Sequence, residues 1–361
     1  LQEVGLYSTV STIHQNAFKN CSALKQIQTQ DGRWYRLEGI TGLHESGIPD
    51  LVQAIYKQVL GNFRISGTIL LNYLGEESRV VVPEGITIIA EEAFAGNEAI
   101  DRVILPESLQ EIGAEAFKDC SLLQTIPLPQ GIRRIGKGAF ENCVKLIRAI
   151  LPQKLVNIEA GVFKNCRVLK EVSLGEGGEE IGEQAFYGCH SLKEIVFPHS
   201  LKVIKEMAFY RCSGLKEVRL PEQLVQADSL AFAQSGVRKA YVFGSGRGYG
   251  KGIFSQCSRL KTLVLGNNVR HIPDKFAYHC LSLKQVIFPP FLESVGRNVW
   301  EKTLFLEDWL LQGQEEQQEI LAALVSLQET EVTGKTVEKE TLKKLGEFFQ
   351  AEPVPWVQID L

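Results

Sequence analysis

The sequence lacks the signals that mark a reaction centre. No GxSxG, HExxH or EF-hand loop occurs in it, so the hydrolase, zinc and calcium chemistries those motifs serve have no signature here. Its six histidines, His14, His44, His190, His199, His271 and His279, stand at no recognisable spacing from a nucleophile or a carboxylate. They are expected to be variable surface positions. CxxC pairs are missing, which removes the usual metal spacing. A glycine-rich stretch, GSGRGYGKG from Gly244 to Gly252, lacks the register of a phosphate loop, because Lys251 is followed by Gly252. It is expected to be a relaxed turn in the one shortened unit of the chain. Catalytic residues, cofactors and metals are therefore not expected.

Long apolar runs are also missing. None approaches the roughly 20 residues that cross a bilayer, and no secretory leader is visible. A net charge of −4 gives no case for nucleic acid or an anionic membrane as partner.

What is present is one unit, repeated. Phe94, Phe117, Phe140, Phe163, Phe186, Phe209 and Phe232 are spaced by 23, and Phe254 follows after 22. Ala277 and Trp300 hold the same slot, and Phe18 sits in it upstream, which makes eleven copies. A fixed period of this length means a stacked array. One unit is too short to bury its own apolar face, so it must bury it against its neighbours. The segment LxxIxLP alternates and ends at a proline, as in Pro106, Pro129 and Pro152, and reads as a short strand. The segment xxIGxxAFxxC carries the chain back. Strands one period apart are then parallel, about 4.8 Å apart, with right-handed crossovers.

The pattern IGxxAFxxCxxLxxIxLP resembles the BspA-like leucine-rich repeat family, over residues 1 to about 29 and about 63 to 311. The resemblance implies an α/β repeat fold, a leucine-rich-repeat solenoid with a parallel strand ladder. It also implies a bacterial cell-surface or secreted protein, some relatives of which adhere to host matrix proteins or other cells. The expected localisation is extracellular or cell surface, the expected partner is a protein, and the chain is expected to be a monomer.

The eight cysteines all lie three residues after the Phe slot. A column of buried free thiols, acting as small hydrophobes, accounts for them.

Along the chain, residues 1–30 read as the end of an upstream array. The repeat fits from Leu1 itself, which suggests a fragment of a longer protein. Residues 31–76 interrupt the period. A strand is expected at Arg33 to Leu37, a helix from Pro49 to Leu60 and a hairpin from Phe63 to Tyr73 around Ser66-Gly67. Together they read as a helix-hairpin cap, or as a binding island in one continuous array. Residues 77–311 are the main array. Residues 312–361 read as two helices and a tail that form a helical C-terminal cap.

Function then falls to the surface. Residues between the inward Ile and Leu of each strand should face out. One such stripe is Ile104, Pro127, Ile150, Ser173, Val196, Arg219, Val242, Val264 and Ile287. Its companion includes Arg148, Glu171, Glu194, Glu217 and Ala240. Beside them runs one lysine per coil, including Lys193, Lys216 and Lys239, which Glu171, Glu194 and Glu217 would partly neutralise. Tyr241 is expected to point inward. An outward row rich in Ile and Val invites a partner, although β-branched residues also simply favour strands. The leading expectation is a non-enzymatic protein-binding scaffold. The alternatives are a structural spacer and a carbohydrate-binding module.

Overall fold

The computed structural model describes residues 62–289 and 292–304, together with the backbone of the strands Glu3–Gly5, Gln26–Gln28 and Trp34–Arg36. The helices expected at 49–60 and within 312–361 lie outside the described residues.

Each coil has three sides. The first is the LxxIxLP strand, which pairs in parallel with its equivalent one coil on. Arg148, Ala149 and Ile150 lie opposite Glu171, Val172 and Ser173, and Glu217–Leu220, Lys239–Val242, Thr262–Leu265 and Gln285–Ile287 form one four-stranded ladder. The second side was not anticipated. The two residues ending in the Ile of xxIG form a second parallel ladder, for example Asn157↔Glu180↔Val203↔Gln226↔Gly248. Two residues are too few to show a periodicity of their own. The third side is the AFxxC turn. There the Phe amide of one coil donates to the carbonyl of the next, as in Phe117 N to Ala139 O at 2.8 Å and Phe163 N to Ala185 O at 2.8 Å. Three rows of inter-coil bonds thus occupy the backbone groups that burial would otherwise leave unpaired.

The interior is filled from all three sides. The Phe rings from Phe94 to Phe232 are buried and stack coil on coil, 4.7 to 5.5 Å apart. Phe254 stacks on Phe232 at 5.5 Å; one coil further the pair is inverted, Phe276 taking the Ala position and Ala277 the Phe slot, so Phe254 meets Phe276 edge-on at 79°. Beside the rings runs the thiol column. Cys120, Cys143, Cys166, Cys189, Cys212, Cys257 and Cys280 are free and buried. Each Sγ donates to the Phe carbonyl of the preceding coil, as Cys143 does to Phe117 O at 3.1 Å. Burial raises every one of these thiols, Cys257 to about 11, Cys120 to about 12 and the others higher still or well above the ordinary value.

Close approach of the coils depends on the glycine of xxIG. A Cβ on Gly136 would lie 2.5 Å from the Ala114 amide nitrogen and 2.7 Å from the Gly113 carbonyl carbon. Both are backbone atoms and neither can swing aside. Gly136→Ala is therefore expected to cost about 1–3 kcal/mol, in the range of overpacking, read as a lowered midpoint in urea. An unchanged midpoint would show that the coils have room to separate.

The hairpin forms as expected. Phe63–Ser66 and Ile69–Tyr73 pair antiparallel, with Gly67 at φ 61° in the turn, and Ile69–Tyr73 then pairs in parallel with Ile88–Ile89 of the first coil. Upstream, Glu3–Gly5 pairs in parallel with Gln26–Gln28 at an offset of 23, and Trp34–Arg36 adds to that sheet antiparallel.

The glycine-rich stretch is not where the shortened unit loses its residue. Leu215 and Val237 are both buried, 22 apart, while Cys212 and Ser235 are 23 apart. The missing residue therefore lies between Ser235 and Val237, before the strand. The glycines meet backbone on both sides instead: a Cβ on Gly248 would sit 2.2 Å from Val225 O, and one on Gly246 2.2 Å from His271 O.

Candidate functional site

That deletion shifts one strand by a position and corrects four assignments. Arg219 lies opposite Tyr241, and Leu220 opposite Val242. Val242 and Ala240 are fully buried, not outward. Tyr241 faces out rather than in, with the Arg219 guanidinium 4.1 Å above its ring. Lys239 lies opposite Glu217, so Arg238 takes the place in the lysine row that the 23-residue count assigns to Lys239.

The corrected outward row is Val81, Ile104, Pro127, Ile150, Ser173, Val196, Arg219, Tyr241, Val264 and Ile287. Its apolar members are open to solvent: Val81 is 62% exposed, Ile104 50%, Ile150 52% and Val196 79%. Val264 and Ile287 are only half-buried. In the companion row Arg148 reaches across the ladder to Glu171 at 2.7 Å. Arg219 Nε binds Glu217 at 2.7 Å while it covers Tyr241. Glu171 and Glu217 are thus held by arginines, and their expected neutralisation of the lysines is not observed. Glu194 is exposed.

The first-side ladder opens between Glu171–Ser173 and Glu217–Leu220, where residues 192–197 form no strand. Phe197 fills the slot that Leu151, Leu174 and Leu220 take elsewhere, edge-on to Phe209 at 5.7 Å. A concavity of about 440 Å³ lies over this opening, lined by Arg148, Ile150, Glu171, Ser173, Glu194 and Val196 among others. The strand face therefore gathers Arg148, Ile150, Glu171, Glu194 and Val196 at one place. Glu217 and Arg219 stand beside them, Val264 and Ile287 lie further along, and Val242 is not part of it.

One histidine does meet both a hydroxyl and a carboxylate, contrary to expectation. His271 Nδ1 is 2.8 Å from Ser294 Oγ, and its Nε2 is 3.4 Å from Glu293 Oε2. The two coils place residues 23 apart side by side, which a search for local motifs does not see. Arg247 Nε, which can only donate, lies 3.2 Å from Nε2. Glu293 also meets Arg247 at 3.8 Å and Arg270 at 4.0 Å, which makes this an exposed ion-pair cluster. Among the described residues no group of three His, Cys, Asp or Glu is placed to hold a metal ion, and no helix is long and apolar enough to cross a membrane.

Solved structures with similar coils come from several bacteria. A leucine-rich repeat protein of Bacteroides ovatus is 23% identical, covers 66% of this chain and 76% of its own, and superposes with a TM-score of 0.48. A leucine rich cell surface protein of Faecalibacterium prausnitzii is 18% identical over 64% of this chain and 81% of its own, with a TM-score of 0.39. The leucine rich repeat protein of T. pallidum is 24% identical over 71% and 87%, at 0.30. No curated protein matches the chain. The model of the BspA type leucine rich repeat region matches in six copies, over residues 1–69, 72–193 and 179–307. With its Phe stack, thiol column and paired ladders accounted for by that repeat, the chain belongs to the BspA type leucine-rich repeat family.

Proposed function

We propose that the chain is a non-enzymatic protein-binding scaffold of a bacterial cell-surface or secreted protein, and that its partner docks on the strand face around Ile150 and Val196. The observation that carries this reading is Val196, 79% exposed at the lip of the concavity. A single exposed valine is ordinary. Ile150 and Val196 line the concavity together with Arg148, which Glu171 holds, and exposed apolar residues gathered in this way are of the kind that partners cover. Arginine and tyrosine are the side chains that dominate binding energy at such patches, and Arg219 with Tyr241 supplies both in a preset geometry. Repeat membership supports the scaffold part of the reading, since stacked coils make extended surfaces for recognition.

The test is a panel of purified host matrix proteins, collagen, fibronectin, laminin and fibrinogen, passed over the immobilised protein and over its Ile150→Glu/Val196→Glu variant. Both positions are exposed, so the variant should fold. At least one matrix protein is expected to bind, and the variant to bind it at least tenfold more weakly. Equal binding by the variant, or no binding to any of the four, would contradict the proposal.

A further inference from the structure

The row beside the strand face is a ladder of cations. Lys193, Lys216, Arg238, Lys261 and Lys284 follow one another coil by coil, their backbones bonded in sequence: Lys216 N to Lys193 O at 3.1 Å, Arg238 N to Lys216 O at 2.7 Å, Lys261 N to Arg238 O at 2.8 Å and Lys284 N to Lys261 O at 3.1 Å. Lys170 stands one coil before them. All six are exposed. Among the described residues none forms an ion pair, the neighbouring Glu171 and Glu217 being taken by Arg148 and Arg219. Glu194 is the carboxylate left beside the row. Like charges one strand spacing apart repel.

The ladder borders an open groove of about 350 Å³, lined by Lys170, Lys193, Lys216, Arg238 and Arg259. Ser191, Ser213, Gly214, Gly236 and His190 line it as well. The glycines are forced by packing, since a Cβ on Gly236 would lie 2.0 Å from Ser213 O and one on Gly214 2.6 Å from His190 O. The result is an open groove lined by two serine hydroxyls and five cations.

We infer that this groove binds a linear anionic polysaccharide, one carrying carboxylate or sulfate groups on successive sugars. Three observations select that occupant. The cations run in single file at the strand spacing of about 4.8 Å, and a chain of pyranose rings advances by about one ring over the same distance. An acidic peptide would not keep step, because an extended chain puts side chains on one face only about every 6.6 Å. A single-stranded nucleic acid needs successive rings on which its bases can stack, and His190 is the one ring that lines the groove. Three of the five cations lining the groove are lysines, compact charges on flexible stems, which suits sulfates whose orientation varies along a chain. The site is separate from the strand face, so each can fail without the other.

Heparin-derived octasaccharide is the probe, titrated into the purified protein by calorimetry at low and at physiological salt. Binding is expected, weakening as salt rises. The triple variant Lys193→Gln/Lys216→Gln/Arg238→Gln should bind at least tenfold more weakly. The variant Lys137→Gln/Lys154→Gln/Lys251→Gln, which removes the same charge from other sides of the coils, should bind within about twofold of the parent. Circular dichroism of each variant checks that it is folded. Equal loss in both triple variants would overturn the inference, as would no binding of the octasaccharide. Tighter binding of poly-glutamate or of oligo-thymidylate than of the octasaccharide would also overturn it, by assigning the groove to a peptide or a nucleic acid.

Discussion

Raising the pH above about 9 is expected to unfold the protein over a narrow interval. An unfolded cysteine has a thiol pKa of about 8.5, whereas in the folded chain the thiols of Cys120 and Cys257 are raised to about 12 and 11, and the five others higher still or well above the ordinary value. Below pH 8.5 both states hold these protons and the linkage is silent. Above it the unfolded chain sheds protons that the folded chain keeps, so stability falls as pH rises. Each thiol contributes about 1.4 kcal/mol per pH unit. Seven acting together give on the order of 10 kcal/mol per pH unit, comparable with the whole stability of a typical domain. The alkaline midpoint should fall between about pH 9 and pH 10.5. Thiolate absorbance of these seven at 240 nm, read in a Cys21→Ser background, should appear with the loss of circular dichroism and not before it. Replacing Cys143, Cys166 and Cys189 by alanine should reduce the steepness to about four-sevenths. Native circular dichroism at pH 11, or thiolate forming in the folded protein near pH 8.5, would contradict this account of the column.

The second large effect is on the Phe stack. Phe163 lies between Phe140 and Phe186 at 5.5 Å each and is fully buried. Phe163→Ala removes a ring that two other coils pack against, and is expected to cost about 3–5 kcal/mol in chemical denaturation. Phe163→Leu keeps most of the volume and should cost about 1–2 kcal/mol. A loss under about 1 kcal/mol for the alanine variant would mean that the neighbouring rings close the gap.

The repeat made much of this legible beforehand. The 23-residue spacing of Phe94 to Phe232 and the small residue three places on are enough to place the rings and thiols inside, because nothing but stacking can hide them. Three features were harder to read. The second ladder rests on two-residue strands, such as Glu180–Ile181, which leave no alternation to detect. The position of the missing residue was ambiguous, because Phe232 and Phe254 bracket both the Ser235–Val237 turn and the glycine-rich stretch. The 22-residue step from Leu215 to Val237 was the available signal, and missing it put Val242 outside and Tyr241 inside. His271, Ser294 and Glu293 form a cluster only because stacked coils make residues one period apart into neighbours. Searching each functional residue type at an offset of 22 or 23 would have found it.

The central claim is that each coil hides its interior only against the coils on either side. Amide hydrogen exchange, followed by mass spectrometry on Phe163→Leu and on the parent, tests it most directly. Nearest-neighbour packing predicts faster exchange in the coils of Phe140, Phe163 and Phe186, fading toward the coils of Phe94 and Phe254. Faster exchange confined to the Phe163 coil, or rising equally along the whole array, would contradict it.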